Sequence, residues 1–385
     1  MPQKSPLGDL GVNKLFFGCL RTQVRNIALY LYPNVKNTLC KKVMEQTVIN
    51  ERILLCRPLG GLNDMLAQIE KCYRYALKYN RKLFIDGSRG GFRDDFARYF
   101  IPAPHIFFEK IDFLSPPFDV FPPHLRDDIY HYELSYWDNN LLGLPTFFIT
   151  FDFKHDYEEQ ILVHESAGGG IFSIFALTRL RLKPEIRLHI TTIIRGLQEL
   201  EKSGKYDGIH IRNTDYKTDY PSYFNKIKNR INKTTVISTD DYECQQYAQS
   251  FFGEKLKIVT DIPDLSIANR DNRLPDNRLP DNRLHGNLNL DRYKSNVDTL
   301  ADLFILAYSD HLFYTASSKK SISGFSLLAR NLHRCKHITR NMLYNEKSTE
   351  EYFQDMSVRW YEYLSFFFFK IYLIMRRILV NNLNK

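Results

Sequence analysis

Residues 52–86 read RILLCRPLGGLNDMLAQIEKCYRYALKYNRKLFID and decide the fold class. The apolar run Ile53–Cys56 predicts a short strand, which ends in a turn with two glycines. Apolar residues then recur at helical spacing from Asn63 to about Asn80, and Lys82–Asp86 predicts a second strand. A strand, a glycine-rich turn, a helix and a strand form a βαβ unit, whose crossover makes the two strands parallel. The stretch therefore predicts an α/β sheet.

The same alternation of strands and helices continues along the chain. Ile161–His164 predicts a strand before three glycines, and a helix with proline in its first turn runs from Pro184 towards Glu201. A second set of elements begins at Tyr206. We therefore predict an α/β fold of two Rossmann-like domains that face each other across a cleft. The second set has predicted strands at 206–212, 235–238, 255–260 and 311–315 and predicted helices at 242–252 and 297–307.

Two stretches with unusual composition lie outside this alternation. The pentapeptide DNRLP repeats over 271–285; a period of five matches no solenoid unit, so we expect a solvated loop. Residues 359–385 carry five basic side chains and one acidic one among many aromatic residues. They predict either a peripheral contact with an anionic membrane or a helix packed on the first domain. The predicted segments are an amphipathic lead-in at 1–50, Rossmann-like domains at 51–200 and 201–345, and a C-terminal helix at 346–385.

Composition restricts the class of protein. Of 385 residues, 44% are hydrophobic and 25% charged, which excludes a disordered or collagen-like chain. The formal net charge of +9 suits nucleic acid, an acidic membrane surface or a phosphorylated small molecule, and a mildly basic cytoplasmic protein would carry it too. Six cysteines without metal-ligand spacing indicate free thiols in a reducing compartment. The N-terminus lacks a typical secretory signal, so we expect a cytoplasmic protein, at the inner face of the membrane if the tail binds there.

The motif HIRNTD at 210–215 is the sharpest candidate for chemistry. Strand alternation places His210 and Arg212 on one face, at the carboxyl edge where α/β sheets bind ligands. An arginine there can bind a phosphate through two hydrogen bonds, and Asp215 can orient neighbouring groups. The alternative is a structural ion pair of Arg212 with Asp215.

Three other motifs support this candidate site. STDD ends a predicted strand with Asp240 and Asp241, which would either bind a nucleobase or ribose or cap the next helix. The hydroxyl-rich turn before the helical run at 327–332 is an anion site or an ordinary helix cap. The glycines of GGLND let the backbone approach a ligand. The sequence has no full GxGxxG, no P-loop and no HExxH or GxSxG motif.

In this order, the motifs GGLND with KLFID, HIRNTD, STDD and TASSKKSISGFS resemble those of the fucosyltransferase superfamily, which includes the nodulation-factor, α1,6- and protein O-fucosyltransferases. The resemblance covers roughly residues 52–332. It implies the GT-B architecture, with the acceptor side in the first domain, and an inverting, metal-independent enzyme that uses GDP-fucose and no cofactor. The chain departs from the α1,6 enzymes at Asn213 and Tyr216, where they carry arginine and lysine.

The resemblance also assigns roles to residues. Arg212 would hold the donor diphosphate with His210 nearby, and Asp219 is a positional candidate for the acid/base group. The expected partners are a GDP-sugar donor and a surface glycan acceptor, either lipopolysaccharide or capsule, and no nucleic acid. The alternatives are another nucleotide sugar, or a non-catalytic protein that binds polyanions or nucleic acid. The predicted substrate-binding residues are Gly60, Gly61, Asn63, Asp215, Asp240, Asp241, Ser323, Phe325 and Ser326.

Overall fold

The computed structural model describes residues 51–131, 149–213, 217–262, 291–316 and 322–356. The described elements belong to one compact unit that begins at Arg52. The predicted lead-in, the DNRLP repeat, Asp215 and the basic stretch 359–385 lie outside the described residues, so those predictions stay predictions.

The predicted βαβ unit forms the centre of the first sheet. Strand β1 (Ile53–Pro58) leads to helix α1 (Leu62–Lys78) and strand β2 (Lys82–Ile85). The two strands pair in parallel, with Ile53 opposite Lys82. All six residues of β1 are buried, as expected for a central parallel strand that is covered on both faces.

Short strands complete this sheet, whose order is β4-β2-β1-β6-β5 with every pair parallel. The two strands at the edges of the sheet have only two residues each. The strands that complete the sheet are β4 (Ile106–Phe107), β5 (Val120–Phe121) and β6 (Ile161–Ser166), whereas β3 (Phe100–Pro102) lies outside this sheet.

The chain then crosses to its second half. Helix α2 (Ser173–Leu177) precedes strand β7 (Leu180–Leu182), which pairs with β3 in a separate antiparallel ribbon. Helix α3 (Pro184–Glu199) begins with its proline in the first turn, as predicted, because this position needs no backbone N–H.

The second sheet is also parallel, in the order β10-β9-β8-β11. All four of its strands were predicted, and the fold class of two α/β halves is confirmed. Its elements are β8 (Asp207–Ile211), α4 (Tyr220–Ile227), β9 (Thr235–Thr239), α5 (Tyr242–Phe252), β10 (Leu256–Ile258), α6 (Arg292–Tyr308) and β11 (Leu312–Tyr314).

Three helices end the described chain: α7 (Gly324–Arg334), α8 (Lys336–Tyr344) and α9 (Thr349–Asp355). None of the helices in the described ranges is both long and apolar enough to cross a bilayer.

One apolar core joins the helices of the two halves. Leu66 of α1, Ile190 of α3, Phe304 of α6, Leu328 of α7 and Met342 of α8 are each fully buried in the same cluster. The opposite face of each sheet has its own smaller cluster. The predicted domain border near residue 200 stays a prediction, since helices from both sides of it share this core.

Candidate functional site

A cleft of about 510 Å³ lies at the carboxyl ends of β1, β8 and β9. Both halves of the molecule contribute to its lining. The first half supplies the turn after β1 and the loop 89–93, and the second supplies the ends of β8 and β9, one face of α6 and the start of α7. This is the sheet edge at which the sequence motifs predicted a ligand.

The turn after β1 needs a glycine at its first position. Gly60 has a φ of +82°, and a β carbon there would lie 2.9 Å from the β carbon of Asp64. Gly61 has an extended backbone and precedes the first turn of α1. Asn63, also predicted to bind substrate, is 3% exposed and hydrogen-bonds with Ser173 Oγ at 2.6 Å. Asn63 lines the cleft, and its hydrogen bond with Ser173 also connects α1 to α2.

The loop 87–93 packs against this turn and was not predicted as part of the site. Gly91 N donates to Gly60 O at 2.8 Å, and a β carbon on Gly91 would lie 2.7 Å from that oxygen. A β carbon on Gly90 would lie 2.5 Å from Pro58 O. The two glycines therefore permit the close approach that brings Arg89 and Arg93 to the cleft; the pattern RGGFR was the sequence signal.

His210 is almost fully buried beside the start of α7. Its Nδ1 lies 2.6 Å from Ser326 Oγ, and its ring lies 4.9 Å from that of Phe325. Burial and the nearby Arg212 guanidinium lower the pKa of His210 to about 3. The imidazole is therefore neutral near pH 7, which suits a positioning role better than general base catalysis.

Arg212 lines the cleft in an ion pair with Asp240. Its Nε lies 2.9 Å from Asp240 Oδ2, and the Asp240 side chain is only 6% exposed. Asp240 Oδ1 also accepts from Asn213 N at 2.8 Å. The carboxylate is thus held from two sides, and it fixes the guanidinium at the sheet edge.

The other predicted carboxylates occupy different places. Asp241 caps α5 by accepting from Cys244 N, the alternative stated for it, and it also hydrogen-bonds with Asn213. Asp219 is exposed and caps α4 by accepting from Ser222 N at 3.1 Å. Neither lies in the cleft lining, so their predicted substrate and acid/base roles stay predictions.

The hydroxyl-rich turn reaches the cleft as predicted. Ser323 caps α7 by accepting from Ser326 N at 3.1 Å, and Ser323, Gly324 and Phe325 line the cleft. Ser326 is 1% exposed and lies behind His210. The turn therefore serves as a helix cap and also presents the amino end of an eleven-residue helix to the cleft.

Helix α6 contributes a polar stripe that sequence analysis missed. Residues 292, 295, 296, 299 and 302 line the cleft at helical spacing, and this spacing of polar residues was the available signal. Asp302 accepts from Ser238 Oγ at 2.7 Å and from Thr260 Oγ1 at 2.9 Å. Burial raises the pKa of Asp302 to about 7.

A second cavity of about 460 Å³ lies at the carboxyl edge of the first sheet. Its most buried cation is Arg57, 4% exposed, with Nε 2.9 Å from Asp86 Oδ2 and Nη1 donating to Tyr130 O at 3.1 Å. Arg89 lines this cavity as well as the cleft, and it donates to Glu165 at 3.3 Å. The two cavities therefore share a side chain.

One group of described residues has metal-ligand geometry: Asp207, Asp310 and His311. It lies at the amino end of the second sheet, the opposite edge from the cleft. Asp310 is already paired with Lys205 and Lys233, which compensates its charge. This group is therefore too far from the cleft to hold a metal ion there.

Comparison with solved structures identifies the architecture. The fold is similar to that of fucosyltransferase NodZ from Bradyrhizobium, with a TM-score of 0.50 and 16% identity over 74% of this chain and 93% of that one. NodZ crystallised with GDP has a TM-score of 0.48 and 15% identity, with the same coverage of both chains. A mutant of FUT1 from Arabidopsis thaliana in complex with GDP has a TM-score of 0.41 and 13% identity over 77% of this chain and 74% of that one. Neither family models nor curated proteins give a match.

Two parallel sheets whose carboxyl edges meet at one cleft define the GT-B class of fold. The chain has a fucosyltransferase-like glycosyltransferase fold, and the resemblance seen in its motifs is confirmed at that level.

Proposed function

We propose that the protein is an inverting, metal-independent glycosyltransferase that transfers fucose from GDP-fucose to a surface glycan. The observation that carries this proposal is the Arg212–Asp240 pair in the lining of a cleft to which the amino end of α7 also contributes. Glycosyl transfer from a nucleoside diphosphate needs stabilisation of the negative charge that develops on the departing diphosphate. A fixed guanidinium and a helix amino terminus both provide it.

The cleft also has a group that suits guanine. Guanine presents the N1–H and 2-amino donors on one edge, and a carboxylate accepts from both. Asp302 is a buried carboxyl in the cleft lining, fixed by two hydroxyls. The fold shared with NodZ, a fucosyltransferase that has been crystallised with GDP, agrees with a GDP-sugar donor.

The acceptor would reach the sugar from the first half of the molecule. The second cavity combines charged side chains with the rings of Phe108 and Tyr130, and it joins the cleft at Arg89. Polar groups with an aromatic face suit a carbohydrate ring. A glycan on a lipid carrier would bring the enzyme to the inner face of the membrane, where the basic stretch 359–385 would contact anionic lipid.

A thermal-shift panel of GDP-, UDP- and CMP-sugars tests the donor, followed by turnover of GDP-fucose with isolated surface glycans. We expect stabilisation by GDP compounds alone and release of GDP. Equal response to all three nucleotides would contradict the guanine assignment. Binding of single-stranded nucleic acid that weakens steeply with salt, without GDP stabilisation, would favour the polyanion-binding alternative.

A further inference from the structure

Besides Arg89 and Arg212, two further arginines line the cleft, and neither belongs to a sequence motif predicted for the site. Arg93 ends the loop 87–93 of the first half, and Arg292 is the first residue of α6 in the second half. The side chain of Arg292 contacts the backbone of Arg93, because Arg292 Nη1 donates to Arg93 O at 3.2 Å. They are 199 positions apart in sequence, so only the fold brings them together.

The backbone of Arg93 has a conformation that costs free energy. Its φ is +47°, in the left-handed region that side chains other than glycine rarely adopt. The loop is held there by the bond from Arg93 N to Gly90 O and by α6, where Asn296 Nδ2 donates to Phe92 O at 2.9 Å. A glycine would adopt this backbone at lower cost. Such strain is typical of functional positions.

The charges around Arg292 also point to an anion. Among the residues that the structure describes, Arg292 has no carboxylate within ion-pair distance, whereas Arg212 pairs with Asp240. A cation in the first turn of a helix opposes the helix dipole, which favours negative charge there. Asp291 already caps this helix end by accepting from Tyr293 N and Lys294 N, so the guanidinium is the group that would stabilise an anionic ligand here.

We propose that Arg93 binds the donor diphosphate from the first half of the molecule, and that Arg292 holds Arg93 in position and adds its own charge. The identification of the diphosphate as part of a nucleotide sugar rests on the proposed function. With Arg212, which follows β8, three guanidinium groups then surround a group of several negative charges. Asn213 adds no charge to the cleft; it binds Asp241 and Thr218.

The decisive variant is Arg93→Gly, because it removes the guanidinium and relieves the backbone at once. We expect the melting temperature to stay the same or rise, while the dissociation constant for GDP increases by about 10- to 100-fold, the range for a lost hydrogen bond to a charged group. Guanosine, which has no phosphate, should bind the variant and the parent equally. Lys294→Ala is the matched control, since it removes an exposed charge from the same turn of α6 outside the cleft.

Arg292→Ala tests whether Arg292 positions Arg93. If Arg292 positions Arg93, the losses of GDP affinity in the two single variants will not add in the double variant. Additive losses would overturn the positioning role.

Unchanged GDP affinity in Arg93→Gly would overturn the diphosphate contact. So would an equal loss for GDP and guanosine together with a lower melting temperature, which would show a structural role. The same titrations with UDP and inorganic pyrophosphate separate this inference from the proposed donor. If Arg93→Gly weakens all three ligands but the parent does not prefer GDP, the diphosphate contact stands and the guanine assignment fails.

Discussion

Arg212 is the residue on which the proposed reaction most depends. Because Asp240 fixes its guanidinium at the sheet edge, the group is already in place when charge develops on the leaving diphosphate. We expect Arg212→Ala to lower kcat by roughly 10²- to 10³-fold, the range for the loss of one fixed charge-stabilising donor. Arg212→Lys should recover only part of this, since an ammonium group lacks the planar fork.

Single-turnover rates with GDP-fucose and melting temperatures of the same samples check this. Lys226→Ala, which removes an exposed charge from α4, is the control and should leave both unchanged. A variant without Arg212 that melts earlier but binds and turns over the donor normally would show that the ion pair is only structural.

Asp302 predicts a particular pH dependence of stability. Its pKa is raised from 3.8 to about 7 in the folded protein by burial, so the folded state binds the proton more tightly than the unfolded chain does. The contribution of this group to the free energy of unfolding is therefore largest below about pH 4 and is lost as the pH rises to about 7. In Asp302→Asn, the free energy of unfolding measured with urea should not show this decrease between about pH 4 and pH 7.

The exposed carboxylate Glu254 provides the control, because Glu254→Gln should keep the slope of the parent. In the proposed function, ionised Asp302 accepts from guanine, so guanosine should bind more tightly as the pH rises through about 7. If the unfolding free energy of Asp302→Asn still decreased over this pH range, another group would be the cause of the pH dependence.

At the scale of elements, the turn between β1 and α1 predicts a difference between adjacent glycines. Gly60→Ser must place a side chain at a φ of +82° and against Asp64, so we expect a loss of about 1–2 kcal/mol in the free energy of unfolding, with weaker GDP binding. Gly61→Ser is the matched control, because Gly61 has the extended backbone of a helix N-cap, where serine is favoured. Denaturant titrations that show equal losses for both would contradict this account of the turn.

The elements also show how far the sequence determines the fold. The ends of β1, α1 and β2 were predicted to within about two residues, because buried parallel strands are continuous apolar runs. β4 and β5 were missed since two residues give no period. Helix α6 begins five residues before its predicted start at 297, because its first turn is polar and Asp291 caps it.

The site was predictable to a similar degree. His210 lies near the end of β8, Arg212 follows that strand and Ser323 precedes α7, so local sequence indicates that they lie at a sheet edge. The signals for Arg93 and Asp302, the pattern RGGFR and the helical spacing of polar residues in α6, do not indicate a sheet edge. The two residues reach the cleft only because a loop of the first half packs against α6, and this tertiary contact has no local pattern.

At the scale of the whole molecule, the shared core predicts that the two halves unfold together. Leu328 of α7 is fully buried in the cluster that also contains residues of α1 and α3. We expect Leu328→Ala to cost about 2–5 kcal/mol in the free energy of unfolding, in one transition seen equally by far-ultraviolet and near-ultraviolet circular dichroism. Leu188→Ala is the control, since Leu188 is 66% exposed, and it should change little. Two separate transitions in the parent would show that the halves fold independently.

Gly324 of α7 and Asn63 of α1 both line the cleft, and their close approach has a consequence for motion. A β carbon on Gly324 would lie 3.2 Å from that of Asn63, so α7 and α1 touch there almost backbone to backbone. A hinge that swung the two sheets apart would have to separate this contact and hydrate the apolar helices behind it. Domain rotation is the default only where an interface is small and polar. Exchange of product for fresh donor should therefore proceed through local rearrangement at the rim of the cleft rather than through opening of the whole molecule.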